Sequence, residues 1–230
     1  MTTSSRTATF PPRRADERLT TAIVSDALDA IGRRRQVIQD SLDPLVPGMR
    51  AFGRAATLQF APYADDPGSP LLSNPDPYGD MIDFIDGLRP GDVVVIATDG
   101  SRRSAFWGEL FTAAAIGHAV AGIVCDGCLR DTAVVEQMGL PAFARGRRPV
   151  DYRGRMRVIA SAVPVELSGV VVYPDDIVMA DDDGIVVIPR EDESEVLRRA
   201  TERATTEGTV RSELLSGASL RSVWDRHHVL

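Results

Sequence analysis

Four charged side chains stand in an otherwise apolar stretch, "WGELFTAAAIGHAVAGIVCDGCLRDTA", which runs from Trp107 to Ala133. They are Glu109, Asp126, Arg130 and Asp131. Carboxylate oxygens are hard ligands that suit Mg²⁺ or Mn²⁺. A guanidinium group matches a carboxylate with two parallel hydrogen bonds. These are the residue types that a site for a divalent cation and an anionic ligand would use.

Two predicted strands position these side chains. The runs "DVVVIATDG" (92–100) and "GIVCDG" (122–127) are continuously apolar, which is typical of buried parallel strands. A predicted helix, "GELFTAAAIGHAVA" (108–121), connects them. Parallel strands joined in this way end at one edge of the sheet, where ligands bind. We therefore expect Glu109 to lie close to Arg130 and Asp131, although they are 21 and 22 positions apart.

The start of that helix is a second candidate binding element. Its first turn, from Gly108 through Glu109 and Leu110 to Phe111, presents free N–H groups and the positive end of the helix dipole. Such a helix terminus is suited to binding an anion. We expect it to face the same ligand as Arg130.

The remaining pattern predicts alternating strands and helices, hence an α/β fold with a parallel-containing central sheet and helices packed on it. We predict helices over 15–32, 81–88, 132–139 (ending at Gly139) and 191–208, strands over 53–62 and 140–146, a loop over 63–80, and a β-rich region over 163–189.

Each candidate site residue also has an ordinary structural role open to it. Asp131 could cap the helix that follows it. Glu109 could simply favour its helix dipole, and Arg130 could form a surface ion pair with Asp126. Residue spacing alone does not decide between these roles and a site.

Two other motifs are interpreted as structural. The pair Cys125 and Cys128 has C-x-x-C spacing, but Cys125 ends a predicted strand, whereas a redox thiolate needs a helix N-terminus. A buried, small apolar residue is favoured instead. The run from Asp181 to Gly184 lacks the alternating acid spacing of an EF-type calcium loop and predicts a hairpin turn.

Composition narrows the function classes. The chain has 230 residues and a net charge of −7, which argues against a nucleic-acid partner. It has no apolar run of about 18 residues, so no membrane span is expected. Residues 1–17 lack the apolar centre of a secretion signal and are predicted to be a disordered leader. With only two cysteines, we expect a cytoplasmic location.

The composition also bears on chemistry. The three histidines lack metal-site spacing, so a zinc site is not expected. The sequence contains no lysine, which excludes an aldolase mechanism through a lysine Schiff base. We predict one domain over 18–210 and a C-terminal extension over 211–230.

The stretch from Gly108 to Asp131 resembles the signature of the RraA-like family. That family includes class II aldolases acting on 4-hydroxy-4-methyl-2-oxoglutarate and 4-carboxy-4-hydroxy-2-oxoadipate, and the regulator of ribonuclease E activity. The aldolase motif is an acidic residue, twenty others, then Arg-Asp, matched here by Glu109 and Arg130-Asp131. Glu109 departs mildly from the usual Asp. The resemblance extends from about residue 18 to 207.

The resemblance implies a swivelling β/β/α fold and specific residue roles. Asp131 would bind Mg²⁺ or Mn²⁺ directly, and Glu109 would hold a water molecule of the metal. Arg130 would contact the carboxylate and keto oxygen of a pyruvyl group, and the N–H groups of Leu110 and Phe111 would bind that carboxylate.

The resemblance also implies a homotrimer or homohexamer with sites at subunit interfaces. A C-terminal glutamate of a neighbouring subunit, Glu202 or Glu207, could reach the site.

The implied function is a metal-dependent lyase that releases pyruvate from a 4-hydroxy-2-oxo diacid and also decarboxylates oxaloacetate. The expected partner is a small 2-keto acid, with no nucleic acid and no membrane. Both reactions produce the pyruvate enolate, whose charge a divalent cation and a guanidinium stabilise. A water molecule held by the cation is the expected general base.

Three alternatives remain. One is a non-catalytic ribonuclease regulator, although such proteins lack the metal-binding Asp that this chain has at Asp131. Another is a metal-dependent lyase or hydratase on a different 2-keto acid. The third is a quinone methyltransferase, for which no glycine-rich loop for the methyl donor is found.

Overall fold

Four parallel strands form the centre of the sheet and carry the candidate site. A computed structural model describes residues 18–63 and 76–230. The leader predicted over 1–17 and most of the loop predicted over 63–80 lie outside the described residues.

The predicted helices and strands occur in the predicted order, together with further elements that were not predicted. In chain order they are α1 (Thr21–Asp29), β1 (Asp43–Pro44), β2 (Ala51–Pro62), α2 (Gly79–Asp86), β3 (Asp92–Ala97), β4 (Ala105–Trp107), α3 (Glu109–Gly117), β5 (Gly122–Leu129), α4 (Thr132–Met138), β6 (Ala142–Arg147), β7 (Met156–Ser161), β8 (Val165–Leu167), β9 (Val170–Val172), β10 (Ile177–Asp181), β11 (Gly184–Ile188), a 3₁₀ turn (Arg190–Asp192), α5 (Glu193–Leu215) and α6 (Leu220–His227).

The main sheet of the described residues is mixed. Its strand order is β1-β6-β5-β3-β2-β10-β11, with β4 beside β5 and β7 beside β2. The strands β2, β3, β5 and β6 are parallel to their neighbours in that series, and β10 returns antiparallel to β2. The predicted parallel pairing of 92–100 with 122–127 is therefore confirmed, and the strand predicted over 140–146 is also parallel, beside β5.

Both faces of the central strands are covered, which explains their uninterrupted apolar sequence. Along β3, Val94 and Ile96 face a core shared with helices α2, α3 and α4. Val93 and Val95 alternate to the opposite face, where the small β8–β9 sheet packs. A third core lies where α1 and α5 cover the β10–β11 hairpin. The face with α3 and α4 is the one that bears the candidate site.

Local signals fix several element ends. Helix α1 begins at Thr21 because the Thr20 side chain accepts a hydrogen bond from the N–H of Ile23; the predicted helix began earlier, at 15. Helix α4 ends where Gly139 takes a left-handed conformation, as predicted. Helix α5 runs on to Leu215, beyond the predicted end at 208, and residue 210 lies inside it.

The Cys125–Cys128 pair and the Asp181–Gly184 run, which the sequence analysis interprets as structural, both have structural roles in the fold. Cys125 and Cys128 are both buried and unpaired in β5, and burial raises the pKa of both thiols, so neither is poised as a thiolate. The Asp181–Gly184 run forms the β10–β11 turn. The Asp181 carboxylate accepts hydrogen bonds from the N–H and hydroxyl of Thr21, at 2.9 and 2.6 Å, and so ties the hairpin to α1.

In the described ranges, no helix combines the length and apolar character needed to cross a membrane.

Candidate active site

The two predicted loops meet at the carboxyl edge of the parallel strands. After β3 the chain forms β4, which lies beside the end of β5, with Trp107 opposite Leu129. The N–H of Arg130 donates to the carbonyl of Trp107 at 2.9 Å. This pairing sets the start of α3 directly against the Arg130-Asp131 turn.

One cavity of about 500 Å³ opens at this junction. All six residues predicted for the site line it: Gly108, Glu109, Leu110, Phe111, Arg130 and Asp131. The other lining residues are Tyr78, Ile82, Ala105, Phe106, Trp107, Asp151 and Tyr152. Residues far apart in sequence therefore share one concave surface.

The start of α3 faces the cavity with unused N–H groups. The first helical hydrogen bond of α3 runs from the N–H of Thr112 to the carbonyl of Gly108, at 3.0 Å. The N–H groups of Glu109, Leu110 and Phe111 precede it and have no partner within the helix. The Thr112 hydroxyl, which donates to the same Gly108 carbonyl at 2.9 Å, accepts from the Trp107 indole at 2.8 Å. These bonds hold the helix start rigidly.

Asp131 does not act as a helix cap, although it occupies the N-cap position of α4. It lies in the left-handed region, at φ 54°, and its side chain makes no capping hydrogen bond. Its carboxylate is about half exposed, with Oδ2 at 3.5 Å from Nε of Arg130. The carboxylate therefore stays available at the cavity.

Arg130 pairs with Asp151 and not with Asp126. Its NH1 donates to Oδ2 of Asp151 at 2.9 Å, and the Tyr78 hydroxyl donates to the same oxygen at 2.5 Å. Burial alone would raise the pKa of Asp151. The N–H of Arg153, the Tyr78 hydroxyl and Arg130 outweigh that effect and hold the pKa below its usual value. A charged Asp151 thus orients the guanidinium of Arg130.

Asp126 has a structural role. Its carboxylate is buried and accepts hydrogen bonds from the N–H and hydroxyl of Thr98, both at 2.7 Å, and from the N–H of Gly100 at 2.9 Å. It does not line the cavity of about 500 Å³. These bonds fix the turn after β3 and thereby the path towards β4.

Tyr78, Asp151 and Tyr152 were not predicted as site residues. Asp151 follows β6, a third parallel strand, and its segment pairs with β4, because the N–H of Ala105 donates to the carbonyl of Val150 at 2.6 Å. The rule that brought Glu109 and Asp131 together also applies to the loop after β6. Tyr78 lies at the end of a turn-rich segment, where the sequence offers no comparable signal.

Five aromatic residues form a continuous wall of the cavity, hereafter the aromatic wall. Successive ring centroids lie 5.6 Å apart for Trp107 and Phe111, 6.3 Å for Phe111 and Tyr78, 5.6 Å for Tyr78 and Tyr152, and 6.3 Å for Tyr152 and Phe106. Edge-on and stacked contacts at these distances are favourable. Phe106, Trp107 and Tyr152 are buried, so the aromatic wall backs the cavity from the protein interior, while Ile82 and Leu110 are its exposed apolar residues.

The Gly108 position accepts no side chain without disturbing the site. A Cβ there would lie 2.8 Å from Oδ2 of Asp131 and 3.0 Å from Cγ of Arg130. We expect Gly108→Ala to displace both side chains and lower turnover of any reaction at this site about tenfold to a hundredfold. Steady-state kinetics of the purified variant measures this. Gly208→Ala, in open space on α5, is the matched control and should leave turnover unchanged; full activity of Gly108→Ala would contradict the prediction.

Asp151 should contribute stability that depends on pH. Its pKa in the folded chain is lowered, so its contribution is present above the unfolded-state pKa of about 3.9 and is lost as pH falls through the folded value. We expect Asp151→Asn to unfold about 1 kcal/mol more easily at pH 7, with the difference shrinking towards pH 3. Urea unfolding at several pH values tests this, with Asp225→Asn on α6 as control. A pH-independent difference would count against this role.

The donor set for a metal is limited. Among residues 18–63 and 76–230, no three His, Cys, Asp or Glu side chains converge as a metal site. Glu202 and Glu207 lie on α5, where they pair with Arg198 and Arg203 at 2.8 and 2.9 Å. Neither lines the cavity of its own chain. A single chain thus offers the carboxylates of Glu109, Asp131 and Asp151 at the cavity, and Asp151 is already bonded to Arg130 and Tyr78.

Sequence comparison identifies relatives of this chain. Protein DlpA of Legionella pneumophila is 30% identical over 199 residues, which cover 86% of this chain but only 31% of DlpA. A protein of Halalkalibacterium halodurans named "Putative 4-hydroxy-4-methyl-2-oxoglutarate aldolase" is 28% identical, over 80% of this chain and 79% of that protein. These proteins are similar to this chain along most of its length.

A solved structure shares the fold. Streptomyces coelicolor RraAS2, described as an unusual member of the RNase ES inhibitor RraA protein family, superposes with a TM-score of 0.75 at 30% identity, covering 86% of this chain and 94% of that chain. The predicted α/β fold of the RraA type is thereby confirmed. The family model "RraA-like: Aldolase/RraA" matches residues 21–187, which include the whole cavity lining. The chain therefore belongs to the RraA-like family.

Proposed function

We propose that this protein is a divalent-metal-dependent lyase that cleaves a 4-hydroxy-2-oxo diacid by a retro-aldol reaction to pyruvate, with oxaloacetate decarboxylation as a side activity. The observation that carries the proposal is the convergence of Arg130, Asp131 and the N-terminus of α3 on one cavity. Aldolase names among the family relatives support the reaction class.

The cavity can bind the 2-oxo acid end of such a substrate. Arg130 presents its guanidinium, oriented by Asp151 at 2.9 Å, to a carboxylate and keto oxygen. The free N–H groups of Leu110 and Phe111 supply two further donors, and they lie at the positive end of the α3 helix dipole. Together they orient the substrate so that its C3–C4 bond lies in the cavity.

The negative charge that develops during the reaction lies where these positively charged groups can stabilise it. As the C3–C4 bond breaks, the 4-hydroxyl loses its proton to water and becomes a carbonyl, and the bonding electron pair moves to the pyruvate enolate. The enolate then takes a proton at C3. Arg130 stabilises the enolate charge electrostatically, which is commonly the largest contribution to catalysis. The lysine route is closed, because the sequence has no lysine.

A divalent cation fits the available donors. The carboxylate of Asp131, unused in capping, would bind Mg²⁺ or Mn²⁺ directly, and Glu109 would hold a water molecule of its shell. Two carboxylates with water and substrate oxygens are typical of Mg²⁺ sites. When bound, the cation supplies Lewis-acid stabilisation of the enolate. A homotrimer or homohexamer, with Glu202 or Glu207 from a neighbour, is part of the proposal.

A ribonuclease regulator is the second candidate, since S. coelicolor RraAS2 is described as belonging to the RNase ES inhibitor family. The two functions are separated by one assay. Purified protein is incubated with oxaloacetate or 4-hydroxy-4-methyl-2-oxoglutarate, with Mg²⁺ or with EDTA, and pyruvate is followed with a lactate dehydrogenase couple.

Pyruvate release that requires Mg²⁺ and exceeds the rate in protein-free Mg²⁺ supports the lyase. If neither compound releases pyruvate and the same preparation inhibits a ribonuclease, the regulator would be favoured. Pyruvate release that is lost on adding EDTA should return when excess Mg²⁺ is added.

A further inference from the structure

We infer that Tyr78 is a positioning residue of the proposed reaction: its hydroxyl holds the Asp151 carboxylate that orients Arg130, and it donates no hydrogen bond to the substrate. This role rests on the proposed function and adds a residue to its machinery. Tyr78 immediately precedes α2, a helix for which no part in the site was predicted.

One oxygen of Asp151 receives two hydrogen bonds. The Tyr78 hydroxyl donates to Oδ2 at 2.5 Å, and NH1 of Arg130 donates to the same atom at 2.9 Å. The other oxygen, Oδ1, accepts from the N–H of Arg153 at 2.9 Å. Three donors therefore fix the carboxylate, and loss of the Tyr78 bond leaves it freer to rotate away from Arg130.

The Tyr78 ring is itself held by packing. Its centroid lies 6.3 Å from that of Phe111, on α3, and 5.6 Å from that of Tyr152, and both contacts are edge-on. Phe111 belongs to the helix start that supplies the free N–H groups, and Tyr152 follows Asp151 in the chain. The hydroxyl is thus placed against Asp151 by a ring that contacts two separate parts of the site.

The charges of the two partners fix the direction of their hydrogen bond. Burial raises the pKa of Tyr78, and the bond to Asp151 and the charge of that carboxylate raise it further. For Asp151, the effect of burial is outweighed by its hydrogen-bond donors, so its pKa is lowered. Tyr78 is therefore the neutral donor and Asp151 the charged acceptor. Because a phenol has one proton, Tyr78 has none to donate to a substrate carboxylate or to the enolate.

Removal of the hydroxyl alone tests the role. Tyr78→Phe keeps the ring and its packing but leaves Arg130 less well oriented, so kcat/KM for Mg²⁺-dependent pyruvate release should fall about tenfold. Tyr173→Phe is the matched control and should have parental kinetics, because Tyr173 is 56% exposed and does not line the cavity. An active parent with an equally active Tyr78→Phe would overturn the inference and leave the lyase standing.

A double-variant cycle shows whether Tyr78 acts through Asp151. If it does, adding Tyr78→Phe to Asp151→Ala should lower kcat/KM by less than about twofold, because no carboxylate remains to be held. A full tenfold loss in that background would mean that Tyr78 acts on the substrate independently, which would overturn the inference. Asp151→Asn takes the place of Asp151→Ala if circular dichroism shows that the alanine variant does not fold.

Chemical modification of Arg130 gives a readout that needs neither metal nor turnover. Phenylglyoxal reacts with guanidinium groups, and peptide mass spectrometry follows its rate at each arginine of the intact protein. Tyr78→Phe should raise the rate at Arg130 at least about threefold, because a less restrained Asp151 protects the guanidinium less. Arg221, exposed on α6, is the internal standard.

The modification rate also separates this inference from the proposed function. An unchanged rate at Arg130 in Tyr78→Phe would overturn the positioning role, whatever reaction the protein catalyses. A raised rate at Arg130, in a protein that releases no pyruvate with Mg²⁺ or Mn²⁺, would overturn the lyase and still support the positioning of Arg130 by Tyr78.

Discussion

Replacing Asp131 by asparagine should lower Mg²⁺-dependent pyruvate release by about 10³-fold while the protein stays folded. The amide removes the negative charge that would bind the cation but keeps the shape of the side chain. Asparagine is preferable to alanine here, because residue 131 lies at φ 54°, in a region that Asn tolerates better than most residues. The loss can therefore be assigned to charge and not to backbone strain.

Two measurements make that result decisive. Calorimetric titration with Mg²⁺ should show weakened binding to Asp131→Asn, and urea unfolding should show a free energy of unfolding within about 1 kcal/mol of the parent. Asp183→Asn, an exposed residue of the β10–β11 turn, is the matched control and should retain full turnover. Normal turnover in Asp131→Asn would remove Asp131 from the metal site.

Arg130→Lys should lower kcat/KM for pyruvate release by about 10²-fold, although the positive charge is kept. In the parent, NH1 contacts Asp151 at 2.9 Å and Nε lies 3.5 Å from Asp131, so the planar group spans two carboxylates. A lysine ammonium is a compact point charge that cannot reproduce this fork together with a bidentate contact to substrate. We therefore expect turnover to depend on the geometry of Arg130 as well as on its charge.

The control for this variant is Arg221→Lys on α6, where the side chain is 82% exposed and pairs with Asp225. It should have parental kinetics. If Arg130→Lys also had parental kinetics, the proposed bidentate contact between Arg130 and the substrate would be wrong. A rise in KM with unchanged kcat would instead assign Arg130 to ground-state binding of the carboxylate.

The α/β fold could be predicted from local sequence patterns. The apolar runs of β3 and β5 identified buried parallel strands, and Gly139 marked the end of α4. Because a crossover connection returns the chain to the same sheet edge, the convergence of Glu109 with Arg130-Asp131 could be inferred without coordinates. One helix end was predicted wrongly: α5 continues to Leu215 and not to 208, because Gly208 stays helical and does not end the helix.

The sequence by itself determined the residue types at the site, the strands that carry them and the edge at which they meet, because these follow from short-range periodicity and a general rule of topology. Only the tertiary structure decided their partners. Asp151, 21 positions from Arg130 and 73 from Tyr78, holds both side chains. The aromatic wall likewise assembles from separate segments, since its contacts form only when distant residues pack together.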